Sequence, residues 1–115
     1  QDTQVVGLQA RGLNRSLINA VLYELGCGDG RVAIEAARRG ARVVCIEGSP
    51  SLLAEAELAV RSAGLGDRVQ LVQADLMQTD LRNATVVFMF LLPTLVYKLR
   101  HSLEQMVPGA RVISR

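Results

Sequence analysis

The stretch that decides the fold is a glycine-rich run that follows an apolar segment: Tyr23-Glu24-Leu25-Gly26-Cys27-Gly28-Asp29-Gly30-Arg31. Residues 20–25 are short and apolar, which predicts a β-strand, and residues 31–39 have the composition of a helix that ends at Gly40. Glycines at alternate positions between a strand and a helix let a ligand approach the backbone closely and point helix N-terminal amides toward it. The run therefore predicts a strand–loop–helix unit with a ligand at its loop.

The alternation of strand and helix continues along the chain. Apolar patterns predict further strands at 41–47, 68–73, 84–90 and 110–114, and helices at 50–63 and 93–106. Ser49 and Pro50 mark the start of the 50–63 helix as N-cap and first-turn residue, and Gly64 or Gly66 ends it. Short strand–helix–strand connections imply parallel strands with right-handed crossovers, and hence one α/β domain with a doubly wound sheet.

Composition and charge exclude several classes of protein. The chain has 115 residues, 50% hydrophobic and 21% charged, which gives room for one domain and excludes global disorder. The net charge of +2 is dispersed and gives no support for nucleic-acid binding. No apolar run is long enough for a membrane helix, and no cluster of residues has the spacing of a metal site.

The cysteines indicate the redox setting. Cys27 and Cys45 are too few for a disulfide scaffold and lack zinc-site spacing, so we expect two small, buried, reduced residues. A disulfide between them is expected to crowd the ligand pocket. The expected location is intracellular, cytoplasmic by default, with an organelle left open.

The spacing of the glycines discriminates between ligands. A dinucleotide fingerprint, Gly-x-Gly-x-x-Gly, would need a glycine at Arg31 or at Ala33, and a phosphate-binding P-loop would need a following Gly-Lys-Ser/Thr. The sequence instead has an acidic residue, Glu24, at the head of the pattern acidic-x-Gly-x-Gly-x-Gly. A nicotinamide-dependent oxidoreductase is therefore the less favoured alternative.

Two more acids are predicted at the same edge of the sheet. Glu47 ends the second predicted strand, 17 residues after Gly30, close to the roughly 20-residue offset of a ribose-binding carboxylate. Asp75 follows the third strand. Because ligands of open α/β sheets bind outside the carboxyl ends of the strands, both acids are expected beside the glycine loop.

These residues resemble the class I S-adenosylmethionine-dependent methyltransferases, and the resemblance covers nearly all of residues 16–115. Glu24 to Gly30 resemble the first motif of that family, Glu47 its ribose-binding acid, and Asp75-Leu76 the segment that recognises the adenine amino group. The resemblance implies a Rossmann-like sheet of five parallel strands in the order 3-2-1-4-5, and S-adenosylmethionine as cofactor. It implies a cofactor-binding set of Glu24, Gly26, Cys27, Gly28, Gly30, Glu47, Gly48, Ser49, Asp75 and Leu76.

The same resemblance suggests how the cofactor lies. Gly26 and Gly28 are expected under its methionine part, and Glu24 or Asp29 near its ammonium group. Gly48 and Ser49 are expected along the adenine. Asp29 has an alternative role, since a carboxylate there favours the start of a helix electrostatically.

The acceptor is less determined than the cofactor. Residues 28–31, Asp75-Leu76 and Leu91-Leu92-Pro93 are similar to a subgroup that includes protein-lysine methyltransferases of ATP synthase subunits and their prokaryotic relatives. A protein lysine is therefore the first expectation for the acceptor, a small molecule the second and RNA the third. Residues 88–93 lack the Asn/Asp-Pro-Pro-Tyr/Phe motif of many amine methyltransferases, so no catalytic residue is assigned. A non-catalytic cofactor-binding or assembly module of the same fold remains an alternative.

Three further side chains have predicted places. Phe88 and Phe90 alternate along an apolar strand and are expected in the core. His101 is expected on the polar face of its helix. Tyr97 is left unassigned.

The end of the chain gives a last expectation. Methyltransferases of this class usually follow the fifth strand with a helix and an antiparallel pair of strands, whereas residue 115 comes directly after the fifth strand. We therefore expect residues 1–115 to be a single domain truncated at its C-terminus, or a chain whose last strand is a bare edge covered by a second copy.

Overall fold

The computed structural model describes residues 4–7 and 16–114. Six parallel strands form one sheet in the described part of the chain. They are β1 (Gln4–Gly7), β2 (Val21–Leu25), β3 (Arg42–Glu47), β4 (Val69–Gln73), β5 (Val86–Met89) and β6 (Arg111–Ser114). Their order is β1-β6-β5-β2-β3-β4. Counted without β1, the strands follow the order 3-2-1-4-5, so the predicted topology is confirmed.

Helices connect the strands. They are α1 (Arg31–Arg38), α2 (Pro50–Ser62), α3 (Pro93–Lys98) and α4 (Arg100–Glu104), with a 3₁₀ turn at Leu76–Gln78. The Ser49 hydroxyl accepts the Leu52 N–H at 3.3 Å, which confirms the predicted N-cap of α2. Gly64, at φ +73°, follows the end of α2. No helix within residues 16–114 combines the length and the apolar character needed to cross a membrane.

The prediction of one helix over 93–106 is wrong, because the chain forms two short helices that meet at Leu99. The Leu99 N–H is shared between the carbonyls of Leu95 and Val96, at 3.1 Å each, which tightens the turn there. The Leu99 side chain is fully buried. Periodicity alone does not reveal such a break, because Leu99 lies on the apolar face in a continuous helix as well.

Two apolar layers cover the sheet. One face packs on α1 and α2 through Leu22, Val43, Cys45, Phe88 and the alanines of both helices. The opposite face packs on the α3–α4 segment through Leu25, Ile46, Val87 and Met89. Since successive residues of a strand point to opposite faces, Glu24 lies on the same face as Leu22, under α1.

Strand β5 ends one residue earlier than predicted, and this changes the place of Phe90. Phe88 is buried in the core as expected. Phe90 follows the last strand residue, Met89, and 66% of its surface is exposed. The expectation of a core position for Phe90 is therefore wrong, because the alternation of the strand does not extend to it.

The expectation of a bare edge at the last strand is also wrong. Strand β1 pairs with β6 in parallel, with Val5 opposite Val112 and Val6 opposite Ile113. The chain thus covers this edge of β6 itself, so no second copy is needed to pair with it. The four-residue strand is too short for a pattern to predict it.

Candidate functional site

The loops after β2, β3 and β4 meet at the carboxyl edge of the sheet. The Gly26 N–H donates to the Ile46 carbonyl at 2.8 Å, and the Cys27 N–H donates to the same carbonyl at 3.3 Å. The Ala74 N–H donates to the Glu47 carbonyl at 3.3 Å. These bonds continue the strand pairing into the loops, so the predicted glycine loop lies directly beside the end of β3, and the end of β3 lies beside the end of β4.

The Glu47 carboxylate connects two of these loops. Its Oε1 accepts the Gly28 N–H at 2.9 Å, and its Oε2 accepts the Ser49 N–H at 3.0 Å. The side chain is 9% exposed. A carboxylate held at both oxygens has a fixed orientation and keeps lone pairs for further donors. Glu47 therefore both organises the loops and can accept hydroxyl groups of a ligand.

The three glycines of the loop have left-handed backbone conformations but different surroundings. A Cβ on Gly28, at φ +54°, would meet nothing within 4 Å, so this part of the loop faces open space. A Cβ on Gly30, at φ +87°, would lie 3.3 Å from the Cα and Cβ of Ala56 in α2. Gly28 is thus open to a ligand, whereas Gly30 allows α1 and α2 to approach each other.

A cavity of about 550 Å³ adjoins the ends of β3 and β4, and its lining includes Gly48, Asp75 and Leu76. The Asp75 Oδ1 accepts the Met77 N–H at 2.9 Å, and the side chain is exposed at the rim. Leu76 reaches toward the glycine loop, since its Cδ1 lies 3.7 Å from the place of a Cβ on Gly26. The structure thus brings Gly48, Asp75 and Leu76 to the edge that carries Gly26, Gly28 and Glu47.

The hydroxyl of Ser49 has a structural use. It caps α2 and lies 3.1 Å from the Ser51 hydroxyl, so the part of Ser49 engaged with Glu47 is its N–H. A larger groove, about 680 Å³, lies between α1 and α2 and includes none of the predicted binding residues. Size alone therefore does not locate the site.

Glu24 is the most buried acid of the described residues. It is 4% exposed, and its Oε1 has no hydrogen-bond partner among the described residues. Burial is the main cause that raises the pKa of its carboxyl, the negative charges of Asp29 and Glu47 also raise it, and a hydrogen bond from the Ala33 N–H lowers it. The net result is a pKa of about 8. The group is therefore mostly protonated at neutral pH.

Asp29 has the structural role that the sequence offered as its alternative. Its Oδ1 accepts the Arg31 N–H at 3.1 Å, and its Oδ2 forms an ion pair with the Arg31 guanidinium at 2.8 Å. The hydrogen bonds from Arg31 lower the pKa of Asp29. Asp29 thus supports the first turn of α1, although Gly30 occupies the N-cap position.

The cysteines differ from expectation, since Cys27 and Cys45 form a disulfide with their Cα atoms 5.5 Å apart. Both residues are buried in the core under α1 and α2. The expectation of two reduced cysteines is therefore wrong. The concern that a disulfide would crowd the pocket is also wrong, because both side chains belong to the core.

The loop after β5 presents an apolar surface at the same edge. Phe90, Leu92 and Tyr97 are 66%, 69% and 64% exposed. The Arg100 guanidinium lies 3.9 Å from the centroid of the Tyr97 ring and donates to the Tyr97 carbonyl at 3.0 Å. This pair was not predicted from the sequence, although its spacing of three residues within a helical segment is a signal for such a contact.

His101 lies away from this chemistry. It is exposed on α4, and its Nδ1 is 3.6 Å from Glu104, as expected for a polar helix face. Within residues 4–7 and 16–114, no group of three or more His, Cys, Asp or Glu side chains is arranged to hold a metal ion.

Two lysine methyltransferases align with most of this chain. A protein-lysine N-methyltransferase of Saccharolobus islandicus is 36% identical over 97 residues, which are 82% of this chain and 60% of that protein. The adenine nucleotide translocase lysine N-methyltransferase of Mus musculus is 35% identical over 95 residues, 81% of this chain and 42% of that protein. This chain thus spans about half of the length of these relatives.

A solved structure agrees with the fold. An RNA methyltransferase of Salinibacter ruber in complex with S-adenosyl-L-homocysteine superposes with a TM-score of 0.83 at 43% identity, covering 91% of this chain and 69% of that one. The methyltransferase family of these proteins uses S-adenosylmethionine as its cofactor. Residues 24–115 match the sequence model described as the ANTKMT methyltransferase domain, and the chain therefore belongs to this family of S-adenosylmethionine-dependent methyltransferases.

Proposed function

We propose that this chain binds S-adenosylmethionine at the carboxyl edge of β2, β3 and β4 and transfers its methyl group to a protein lysine. The observation that carries the proposal is the position of Glu47, whose two oxygens hold the loops after β2 and β3 beside the open space over Gly28. Its remaining lone pairs suit the two hydroxyls of a ribose.

The residues present suit the whole cofactor. The cavity of about 550 Å³ beside Asp75 and Leu76 is within the usual range for small-molecule sites. Asp75, at its rim, can accept from an adenine amino group, and Leu76 offers apolar contact to the ring. Gly26 and Gly28 leave room for the methionine part, and the orphaned Oε1 of Glu24 lies under the loop. Gly30 and the disulfide-bonded Cys27 would support the loop from below.

The proposed reaction places few demands on protein acid–base groups. When bound, the cofactor would supply an electrophilic methyl group: the lone pair of the neutral amine would form the new carbon–nitrogen bond as the carbon–sulfur bond breaks, S-adenosylhomocysteine would leave, and the methylated ammonium could later lose a proton to water. The chain's contribution is alignment of the two partners and exclusion of water. A lysine must also be neutral to react, and burial against Phe90, Leu91 and Leu92 would lower its pKa.

The charges at this edge favour a cationic acceptor. Among residues 16–114, neither Glu47 nor Asp75 forms an ion pair, whereas Asp29 is neutralised by Arg31. A negative potential attracts a lysine-bearing segment and repels a phosphate backbone. Lysine methylation is also what the names of the relatives from S. islandicus and M. musculus state of those proteins.

RNA is the second candidate acceptor. The S. ruber protein, 43% identical, is named an RNA methyltransferase. Tyr97 and Arg100 could also stack on unpaired bases.

Binding of the cofactor is the first test. Calorimetric titration with S-adenosylmethionine and with S-adenosylhomocysteine should show saturable binding. Glu47→Ala should weaken the affinity by roughly 1–3 kcal/mol, about 5- to 150-fold. The reason is that the ribose hydroxyls and the loop N–H groups lose the carboxylate that accepts their hydrogen bonds. Glu57→Ala is the matched control, since Glu57 is an exposed carboxylate on α2 that pairs with Arg61. Absence of binding to the folded protein would refute the proposed function.

Transfer is the second test. The chain is incubated with methyl-labelled S-adenosylmethionine and separate protein and RNA fractions, and labelled residues are identified after digestion. Methyl-lysine in the protein fraction supports the proposal. Label confined to RNA would move the acceptor to the second candidate, and bound cofactor without label in any fraction would support the non-catalytic alternative.

A further inference from the structure

We propose that Glu24 is protonated in the ligand-free protein and releases its proton when the cationic methionine end of the cofactor binds. Cofactor binding would then be coupled to proton release and would tighten as the pH rises. This inference rests on the proposed function, since it concerns the same ligand.

The position of Glu24 supports a neutral carboxyl group. It lies in the central strand β2, between Cys45 of β3 and Phe88 of β5, two residues before Gly26. It is 4% exposed, and its Oε1 has no hydrogen-bond partner among the described residues. An ionised carboxylate with one unsatisfied buried oxygen is unfavourable, so the proton is retained.

The charged groups around Glu24 also favour its neutral form. Asp29 from the glycine loop and Glu47 from β3 are the charged groups that act on it, and both disfavour ionisation. Strand neighbour Phe88 carries no charge, and Cys45 does not titrate because it is in the disulfide. Helix α1 contributes the Ala33 N–H, which favours the charged form but does not outweigh burial; the resulting pKa is about 8.

A cation at the loop would reverse this balance. Arg31, the basic residue at the start of α1, is 87% exposed at its side chain and is held by Asp29. S-adenosylmethionine carries a sulfonium and an ammonium group, and a positive charge within a few ångströms lowers the pKa of a carboxyl. The proton leaves to the buffer, and an ion pair between carboxylate and ligand replaces the neutral acid.

Proton release can be counted by calorimetry. The wild-type protein is titrated with S-adenosylmethionine at pH 7 in phosphate and in Tris, whose ionisation enthalpies differ. We expect release of between roughly half and one proton per bound ligand, and a dissociation constant that falls by up to about tenfold per pH unit between pH 6 and 8.

Glu24→Gln is the matched variant, because the amide has the same shape and cannot ionise. Its proton release should be near zero and its affinity nearly independent of pH, which also corrects for titration of the ligand's own amino group. Methylthioadenosine is the matched ligand, since it keeps adenine and ribose but lacks the charged methionine end. Its binding to the wild type should release no proton.

The outcomes separate the two proposals. Binding with equal proton release in wild type and Glu24→Gln, or equal release with both ligands, would overturn the role of Glu24 and leave the proposed function intact. Absence of binding would overturn the proposed function itself. If Glu24→Gln does not fold, infrared difference spectra of the wild type decide. Loss of a protonated-carboxyl band with S-adenosylmethionine but not with methylthioadenosine supports the inference, and an unchanged band refutes it.

Discussion

The two halves of the carboxyl edge are built differently. After β2, β3 and β4, backbone amides and the Glu47 carboxylate bond to one another, and a disulfide joins the glycine loop to β3. After β5, the edge consists of exposed apolar side chains, among them Phe90, Leu92 and Tyr97. One half is fixed before a ligand arrives, whereas the other presents a surface without a polar pattern.

This difference fits two kinds of ligand. A cofactor that is the same in every turnover can be met by polar groups in fixed positions, which lowers the cost of ordering them on binding. Apolar contacts carry little directional information, so an acceptor surface of this kind does not specify its partner by hydrogen bonds. This difference is the reason that the polar half of the edge supports a specific proposal for the cofactor, whereas the apolar half leaves the acceptor undetermined.

The largest expected effect is a dependence of stability on pH at Glu24. Its pKa of about 8 in the folded protein lies above the ordinary value of 4.5, so the unfolded chain ionises first as the pH rises. The contribution of Glu24 is therefore most favourable below pH 4.5 and is lost between pH 4.5 and 8. In the wild type, ionisation of Glu24 should lower the free energy of unfolding by on the order of 3 kcal/mol between pH 5 and 8, and this decrease should be absent in Glu24→Gln.

Urea unfolding at both pH values measures this loss. The difference between wild type and Glu24→Gln isolates the residue, because all other titrations are common to both proteins. If the free energies of unfolding of the two proteins change with pH in parallel, Glu24 is already ionised in the folded protein and its burial does not destabilise the charged form.

The next effect concerns the Cys27–Cys45 disulfide, whose residues are 18 apart in sequence. Closing a loop of this size restricts the unfolded chain, so reduction should lower the free energy of unfolding by about 3 kcal/mol. Unfolding with and without a reductant measures it, and Cys45→Ser should be insensitive to the reductant. Two free thiols titrated in the unreduced native protein would show that the loop is held by hydrogen bonds alone.

A smaller pair of effects separates binding from packing within the loop. Gly30→Ala places a methyl group against Ala56 in an unfavourable backbone conformation and should cost roughly 1–3 kcal/mol of stability. Gly28→Ala meets nothing within 4 Å and should cost only about 1 kcal/mol of strain, but its methyl group would occupy the proposed cofactor space.

We expect cofactor affinity to fall at least about tenfold in Gly28→Ala and to persist in folded Gly30→Ala, where 1.4 kcal/mol corresponds to tenfold. Thermal unfolding and calorimetric titration of both variants give the two quantities. The opposite pattern would place the ligand on the α2 side of the loop.

The smallest effect on stability is expected at the apolar half of the edge. Leu92→Ala should change the free energy of unfolding by less than about 0.5 kcal/mol, because the side chain is already exposed, and should leave cofactor affinity unchanged. Leu58→Ala, exposed on α2, is the control. A raised KM for the acceptor in Leu92→Ala alone would assign this surface to acceptor binding, and equal KM values in both variants would remove that role.

The resemblance to the methyltransferase family implied the order of the sheet. The sequence predicted five of the six described strands and the acids at their ends because these signals are local. Alternating apolar patterns, the Ser49 cap and the offset between Gly30 and Glu47 each lie within a few dozen residues. The positions it predicted wrongly depend on partners distant along the chain. Phe90 is exposed because β5 ends at Met89, and the edge of β6 is covered because β1 pairs with it.

The amino-acid sequence by itself determined the fold class, since alternating strand and helix patterns lie along one chain. Its glycine spacing argued against a dinucleotide site, and S-adenosylmethionine was implied by the resemblance to the methyltransferase family. Only the tertiary structure decided what each residue does within that plan. It assigned Gly28 to open space and Gly30 to helix packing, joined Cys27 to Cys45 in the core, and left one oxygen of Glu24 without a partner among the described residues. Burial and hydrogen bonding depend on which helices and strands pack together, and a local stretch of sequence does not specify contacts between distant parts of the chain.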